Sequence, residues 1–87
     1  MKKRVFVIGG AALEITGIPK SICRLRDSNP GTVRLAVGGV ARNVAAHLAP
    51  HGPEVQLVTA LGNDVRAAVI EGDCAERGIH LDHTLHL

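Results

Sequence analysis

Gly38-Gly39-Val40-Ala41-Arg42-Asn43-Val44-Ala45 is the stretch on which the fold turns. Two adjacent glycines stand just before a short amphipathic helix that carries Asn43 in its first turn. Glycine accepts a positive φ and lets a ligand or another backbone approach without meeting a Cβ. A helix N-terminus offers N–H groups that have no partner within the helix. Asn43 adds donors and an acceptor on one side chain, a combination suited to sugar hydroxyls. On local sequence alone, a polar residue there also serves as a backbone-bonding cap. Gly52 then ends the helix and Gly62 ends the next strand.

Working outward, Arg4 to Gly10 reads as a fully buried strand, short and β-branched, closed by Gly9-Gly10. Ile15 to Ile18 continues as extended chain as far as Pro19. Ser21 to Arg26 alternates, with Cys23 and Leu25 opposite Arg24 and Arg26. Thr32 to Val37 alternates again, with Val33, Leu35 and Val37 opposite Thr32, Arg34 and Ala36. Such period-two patterning predicts a sheet covered on one face. Asn29-Pro30-Gly31 between these runs suits a turn.

On the other side of the glycine pair, Ala41 to about His51 predicts a helix with Val40, Val44 and Leu48 on one stripe. Pro50 weakens only its last turn, and Gly52 is placed to cap it. Glu54 to Leu61 predicts the next strand, and Asn63 or Asp64 can cap a helix over Val65 to Arg77. Gly72 weakens that helix and Gly78 closes it, before a further strand at Ile79 to Leu81. Strand–helix–strand–helix–strand order predicts right-handed crossovers and a parallel sheet, an α/β fold.

Composition narrows the function classes. Eighty-seven residues allow one domain at most, and 46% apolar content argues for a folded chain. Phe6 is the only aromatic residue, so the core must be built from smaller side chains. A formal charge of +2 without stacking aromatics argues against a nucleic-acid partner. Lys2-Lys3-Arg4 precedes an apolar run of only Val5 to Ile8, too short for a signal peptide, and no stretch reaches membrane-spanning length. Cys23 and Cys74 lack metal spacing; the pair leaves one disulfide open, and a reduced, cytoplasmic chain is the expectation. His80, His83 and His86 recur at every third position, which on a strand sends neighbours to opposite faces, so no metal site is expected. His47 and His51 lack a third ligand. A dinucleotide site is excluded because Gly9-Gly10 does not open a Gly-x-Gly-x-x-Gly turn into a helix.

The extended spacing, from Gly38-Gly39 through Asn43 to Gly52 and Gly62, resembles the N-terminal signature of the ribokinase-like (PfkB) family of carbohydrate and nucleoside kinases. Asp27-Ser28-Asn29-Pro30-Gly31, Val33-Arg34-Leu35 and the Gly-Gly-Val-x-Arg-Asn form look like the pseudouridine kinase branch. The resemblance runs from Arg4 to Leu87. It implies a partial ribokinase-like fold: a parallel sheet with flanking helices, plus a small β lid hairpin at about residues 19–37 over the sugar site. Residues 1–87 are expected to be the N-terminal part of such a kinase domain, acting on a sugar or nucleoside acceptor.

By that resemblance, the substrate-binding residues are Glu14, Gly39, Val40 and Asn43. Glu14 stands where relatives usually carry Asp, Ala12 where they carry Asn, and Ala41 and Ala67 where Gly is common. Arg42 reads as a solvated cation or as a substrate or lid contact. No catalytic residue is expected here, because the family's Gly-Ala-Gly-Asp motif does not occur, and Gly72-Asp73 sits in a helical pattern rather than in a remnant of it. No cofactor is expected on this segment, although ATP and Mg²⁺ are implied for the complete enzyme. The expected partners are a homodimer mate through the lid, or a C-terminal half. The alternative to an enzyme part is a non-catalytic binding or assembly module.

Overall fold

The computed structural model describes residues 2–87. In chain order the elements are β1 (Arg4–Ile8), β2 (Ala12–Pro19), β3 (Gly31–Gly38), α1 (Val40–Leu48), a 3₁₀ turn (Ala49–His51), β4 (Glu54–Val58), β5 (Ala60–Leu61), α2 (Val65–Glu76), β6 (Ile79–His80) and β7 (Leu85–His86). Pro50 falls inside the 3₁₀ turn, and Gly52, at φ 105°, closes it in the left-handed region. Asp64 caps α2 by accepting the Ala67 N–H at 2.9 Å.

β4 is the centre of a three-stranded parallel sheet in the order β1-β4-β6. β1 pairs with it from Arg4↔Glu54 to Ile8↔Val58, and β6 through Val55↔Ile79 and Gln56↔His80. Both crossovers step the same way across the sheet, so right-handed connections place α1 and α2 on the same face. There Ala41 and Ala45 of α1 and Ile70 and Cys74 of α2 bury Val55, Leu57 and Ile79. The small alanines let α1 lie close to the strands. Among the described residues no helix is long and apolar enough to cross a membrane.

The remaining strands form two separate ribbons. β2 and β3 make an antiparallel hairpin from Ala12↔Gly38 to Pro19↔Gly31. The chain's Cα radius of gyration is 16.2 Å, against about 12 Å for a compact domain of this length. The excess reflects extents of 56 × 29 × 18 Å. β5 and β7 form a short parallel pair, Ala60↔Leu85 and Leu61↔His86.

Four expectations are corrected by this architecture. β1 is not buried on both faces: Val5 and Val7 are half-buried, whereas Phe6 and Ile8 are 48% and 77% exposed. The helices cover one face of the sheet only. Ser21 to Arg26 is a loop, because the hairpin register leaves it without a strand partner. Asn29 organises that loop instead, accepting the Arg24 N–H at 2.8 Å and donating to the carbonyls of Arg24 and Asp27 at 2.9 and 3.0 Å. The first strand of the hairpin accordingly lies at Ala12–Pro19, before the loop.

The expected strand from Glu54 to Leu61 breaks at Thr59. There the Thr84 hydroxyl donates to the Leu57 carbonyl at 2.7 Å and accepts the Thr59 N–H at 3.3 Å. The buried side of α1 runs through Ala41, Arg42 and Ala45, so Val40 and Val44 face outward. A strip of small side chains fits against the sheet more closely than the valine stripe would.

Both cysteines are free thiols, Cys23 exposed and Cys74 buried. Burial pushes the Cys74 thiol above its ordinary range. A raised folded-state value favours the protonated thiol, so that contribution to stability is intact below the ordinary thiol range and is lost as pH rises from there through the raised value. Urea unfolding from neutral into alkaline solution should show stability falling, with a shallower fall in Cys74→Ala. In the same assay Leu57→Ala, which empties a fully buried position in the central strand, should cost about 2–5 kcal/mol.

Candidate functional site

The site begins with a contact between two backbones. Gly39 precedes α1 with φ 96° and ψ 144°, and no side chain caps the helix. A Cβ on Gly39 would lie 2.6 Å from the Gly10 carbonyl oxygen and 2.7 Å from Ala11 Cα. Only glycine lets the start of α1 press against the turn between β1 and β2. The Arg42 N–H seals that approach by donating to the Gly10 carbonyl at 3.2 Å. One residue earlier, a Cβ on Gly38 would collide with the Glu14 carboxylate. Glu14 therefore lies against the first glycine of the pair, reaching over from β2.

These contacts set Glu14 and Gly39, with Val40 and Asn43 following on α1, just past the C-terminal end of β1. That is where parallel α/β sheets place their ligands. Glu14 and Gly39 adjoin one another through Gly38. Val40 opens α1 and is 81% exposed, and Asn43 is exposed one turn further on. The arrangement is an open surface rather than an enclosed pocket. A cleft of about 510 Å³ lies elsewhere, between the apolar face of the hairpin and α2, lined by Leu13, Leu35, Val37, Val69 and Arg77 among others.

Arg42 departs from expectation. It is 8% exposed and donates to both carboxylate oxygens of Asp73 on α2, Nε to Oδ2 at 3.0 Å and Nη2 to Oδ1 at 2.9 Å. Its Nη1 donates to Asn43 Oδ1 at 3.0 Å. Arg77 joins the cluster through Nε to Asp73 Oδ1 at 3.0 Å. Asp73, which the sequence places in an ordinary helical pattern, thus anchors a buried ion pair beside the candidate site. Two signals pointed toward it: a cation in the first turn of a helix opposes the macrodipole, and Asp73 and Arg77 stand at i,i+4.

The histidines spaced by three serve different neighbours. The His83 ring lies 5.7 Å from that of Phe6, and His86 Nε2 stands 3.4 Å from Glu71 Oε1. Among the described residues no group of three or more His, Cys, Asp or Glu side chains could hold a metal ion.

The sequence profile of pfkB family carbohydrate kinases matches residues 2–86. The chain belongs to the pfkB family of carbohydrate kinases. Pseudouridine kinase of Escherichia coli strain K12 is 32% identical over 84 residues, which cover 97% of this chain and 27% of that protein. Guanosine-inosine kinase of Exiguobacterium acetylicum is 29% identical over 80 residues, covering 92% of this chain and 26% of that protein. A carbohydrate kinase structure from Agrobacterium tumefaciens superposes with a TM-score of 0.82 at 30% identity, over 98% of this chain and 29% of that one. The chain thus spans about a quarter of the length of the relatives it matches. The parallel sheet, two helices and hairpin are the corresponding part of the ribokinase-like fold.

What this surface offers chemically is a carboxylate at Glu14, an exposed amide at Asn43 and bare backbone at Gly39.

Gly39→Ala should lower stability by about 1–3 kcal/mol, because the residue would be strained at its φ and would push on the Gly10 carbonyl. Gly72→Ala is the matched control. Its added Cβ meets nothing within 4 Å on α2, so helix propensity should raise stability by about 0.5–1 kcal/mol. Urea midpoints of the two variants against the parent chain measure both effects.

Proposed function

We propose that this chain forms the acceptor-binding part of an ATP-dependent sugar or nucleoside kinase, and that its acceptor is a pseudouridine-like nucleoside. The observation that carries the reading is the Glu14 carboxylate lying against Gly38, two residues before the helix that presents Asn43. A carboxylate accepts hydrogen bonds from sugar hydroxyls, and an amide supplies the complementary contact. The likeness to pseudouridine kinase supports a nucleoside acceptor.

Phosphoryl transfer depends mainly on positioning and charge stabilisation. Glu14, Gly39, Val40 and Asn43 supply positioning of the acceptor alone. The base and the nucleotide-binding parts belong to other segments, so this chain by itself is inactive. Its accessible surface of 6465 Å² exceeds the roughly 4,900 Å² of a compact monomer of this mass. Exposed Ile15, Val33 and Leu35 on one face of the hairpin support a partner there, either a second copy through the hairpin or a complementary kinase segment.

Titration of the ¹⁵N-labelled chain with pseudouridine should shift the backbone amides of Gly39, Val40 and Asn43, with no ATP consumed. Asn43→Ala should weaken binding by up to about tenfold, the equivalent of one hydrogen bond. Ala12→Asn, which places an amide on the same hairpin face as Glu14, should tighten it. Shifts confined to the hairpin loop, or turnover by this chain that survives Asn43→Ala, would refute the reading.

A further inference from the structure

We infer that Arg42, clamped by Asp73, is a positioning residue that fixes the amide of Asn43 so that its Nδ2 donor is the end that meets the acceptor. The inference rests on the acceptor-site reading above for its ligand, and on the free chain for its geometry.

A guanidinium has donors and no acceptor. Arg42 Nη1 lies 3.0 Å from Asn43 Oδ1. Rotating the amide by half a turn would set two N–H donors against each other, so the contact itself decides which end of Asn43 faces outward. With Oδ1 turned to the guanidinium, the Nδ2 end of the amide is what the side chain presents away from it. Arg42 can hold this pose because its other nitrogens are taken. Nε and Nη2 grip the two oxygens of Asp73 in a two-point contact, and the planar fork then leaves Nη1 at a set place.

The side chains of Arg42 and Asp73 are 10% and 17% exposed. Burying an ion pair carries a desolvation cost that apolar packing at the same place would avoid. The positive end of the α1 dipole opposes the Arg42 charge as well. Stability alone therefore does not account for an arginine at this position, whereas an outward amide with a settled orientation does. A donor at Asn43 and an acceptor at Glu14 also divide the recognition between them. The ligand must place an oxygen lone pair at Asn43 and a hydroxyl hydrogen at Glu14.

Three substitutions in the 87-residue chain test this. Arg42→Lys keeps the charge but cannot bridge Asp73 and Asn43 together. It should increase the mobility of the Asn43 side-chain amide, read by ¹⁵N relaxation without any ligand, and weaken pseudouridine binding about three- to tenfold. In the Asn43→Ala background it should cause no further loss. Asp73→Asn, on the far side of the guanidinium, should produce the same pattern if Arg42→Lys does not fold. Asn43→Asp retains the oxygen for Arg42 and removes the donor, so it should match Asn43→Ala in lost affinity while unfolding at no lower urea concentration than the parent.

An Asn43 amide that stays equally ordered in folded Arg42→Lys or Asp73→Asn overturns the positioning role. Tighter or unchanged binding by Asn43→Asp overturns the donor assignment. A parent chain that ignores pseudouridine while amide order responds as expected refutes the acceptor reading and leaves the positioning role standing.

Discussion

Everything at the functional end of this chain depends on how closely two stretches of backbone approach at Gly39. The first turn of α1 rests on the carbonyl of Gly10 with no side chain between them. Ala41 repeats the demand from the other direction, since a Cβ on Gly9 would stand 2.9 Å from the alanine methyl. Hairpin, central sheet and helix therefore meet where side-chain volume is nearly zero. Backbone, rather than packing of large groups, sets their relative position, and this suits a chain with a single aromatic residue.

A second tie runs at right angles to the first. Arg42 reaches from α1 to Asp73 on α2, and Arg77 holds the same carboxylate. Carbon packing on the inner face of the sheet would hold the helices without it, because Ala45, Cys74, Val55 and Leu57 are fully buried. The polar tie adds direction: it connects the interior of the helical layer to an amide on the outer surface. On the opposite face Gln56 donates to Asp82 at 3.0 Å and to Glu54 at 3.3 Å, and the Gln56 bond, followed by Arg4, holds the Glu54 carboxyl below its ordinary range.

Local chemistry made much of this legible from sequence. Asn63-Asp64 announced the start of α2 because capping depends on one residue and its immediate backbone, whereas Gly52 closes the 3₁₀ turn and α1 itself stops earlier, at Leu48 before Pro50. The glycine spacing carried the family because close backbone approach tolerates no substitute. What escaped was non-local. Arg42 and Asp73 are separated by 31 positions, and neither looks buried until the helices are stacked. Thr84 interrupts a strand at Thr59, 25 residues away. Ser21 to Arg26 carries an alternating pattern with no neighbour to pair with, and Asn29 claims its backbone first. The exposed face of β1 was hidden because an apolar run says nothing of how many layers will cover it. Of the residues named for the site, Glu14 and Gly39 adjoin through Gly38, and the orientation of Asn43 needed the coordinates.

The two polar contacts of the site ride on different bodies. Glu14 belongs to the long hairpin, and Asn43 belongs to α1, braced through Arg42 against α2. The hairpin is joined to the sheet by Gly9–Ala11 on one side and Gly38–Gly39 on the other, two glycine-rich straps, and its base packs on the core through Leu13 and Val37. The spacing of carboxylate and amide is therefore set by how the base of the ribbon seats on the helical layer, and Leu13 and Val37, which pack there, act on the site without touching it.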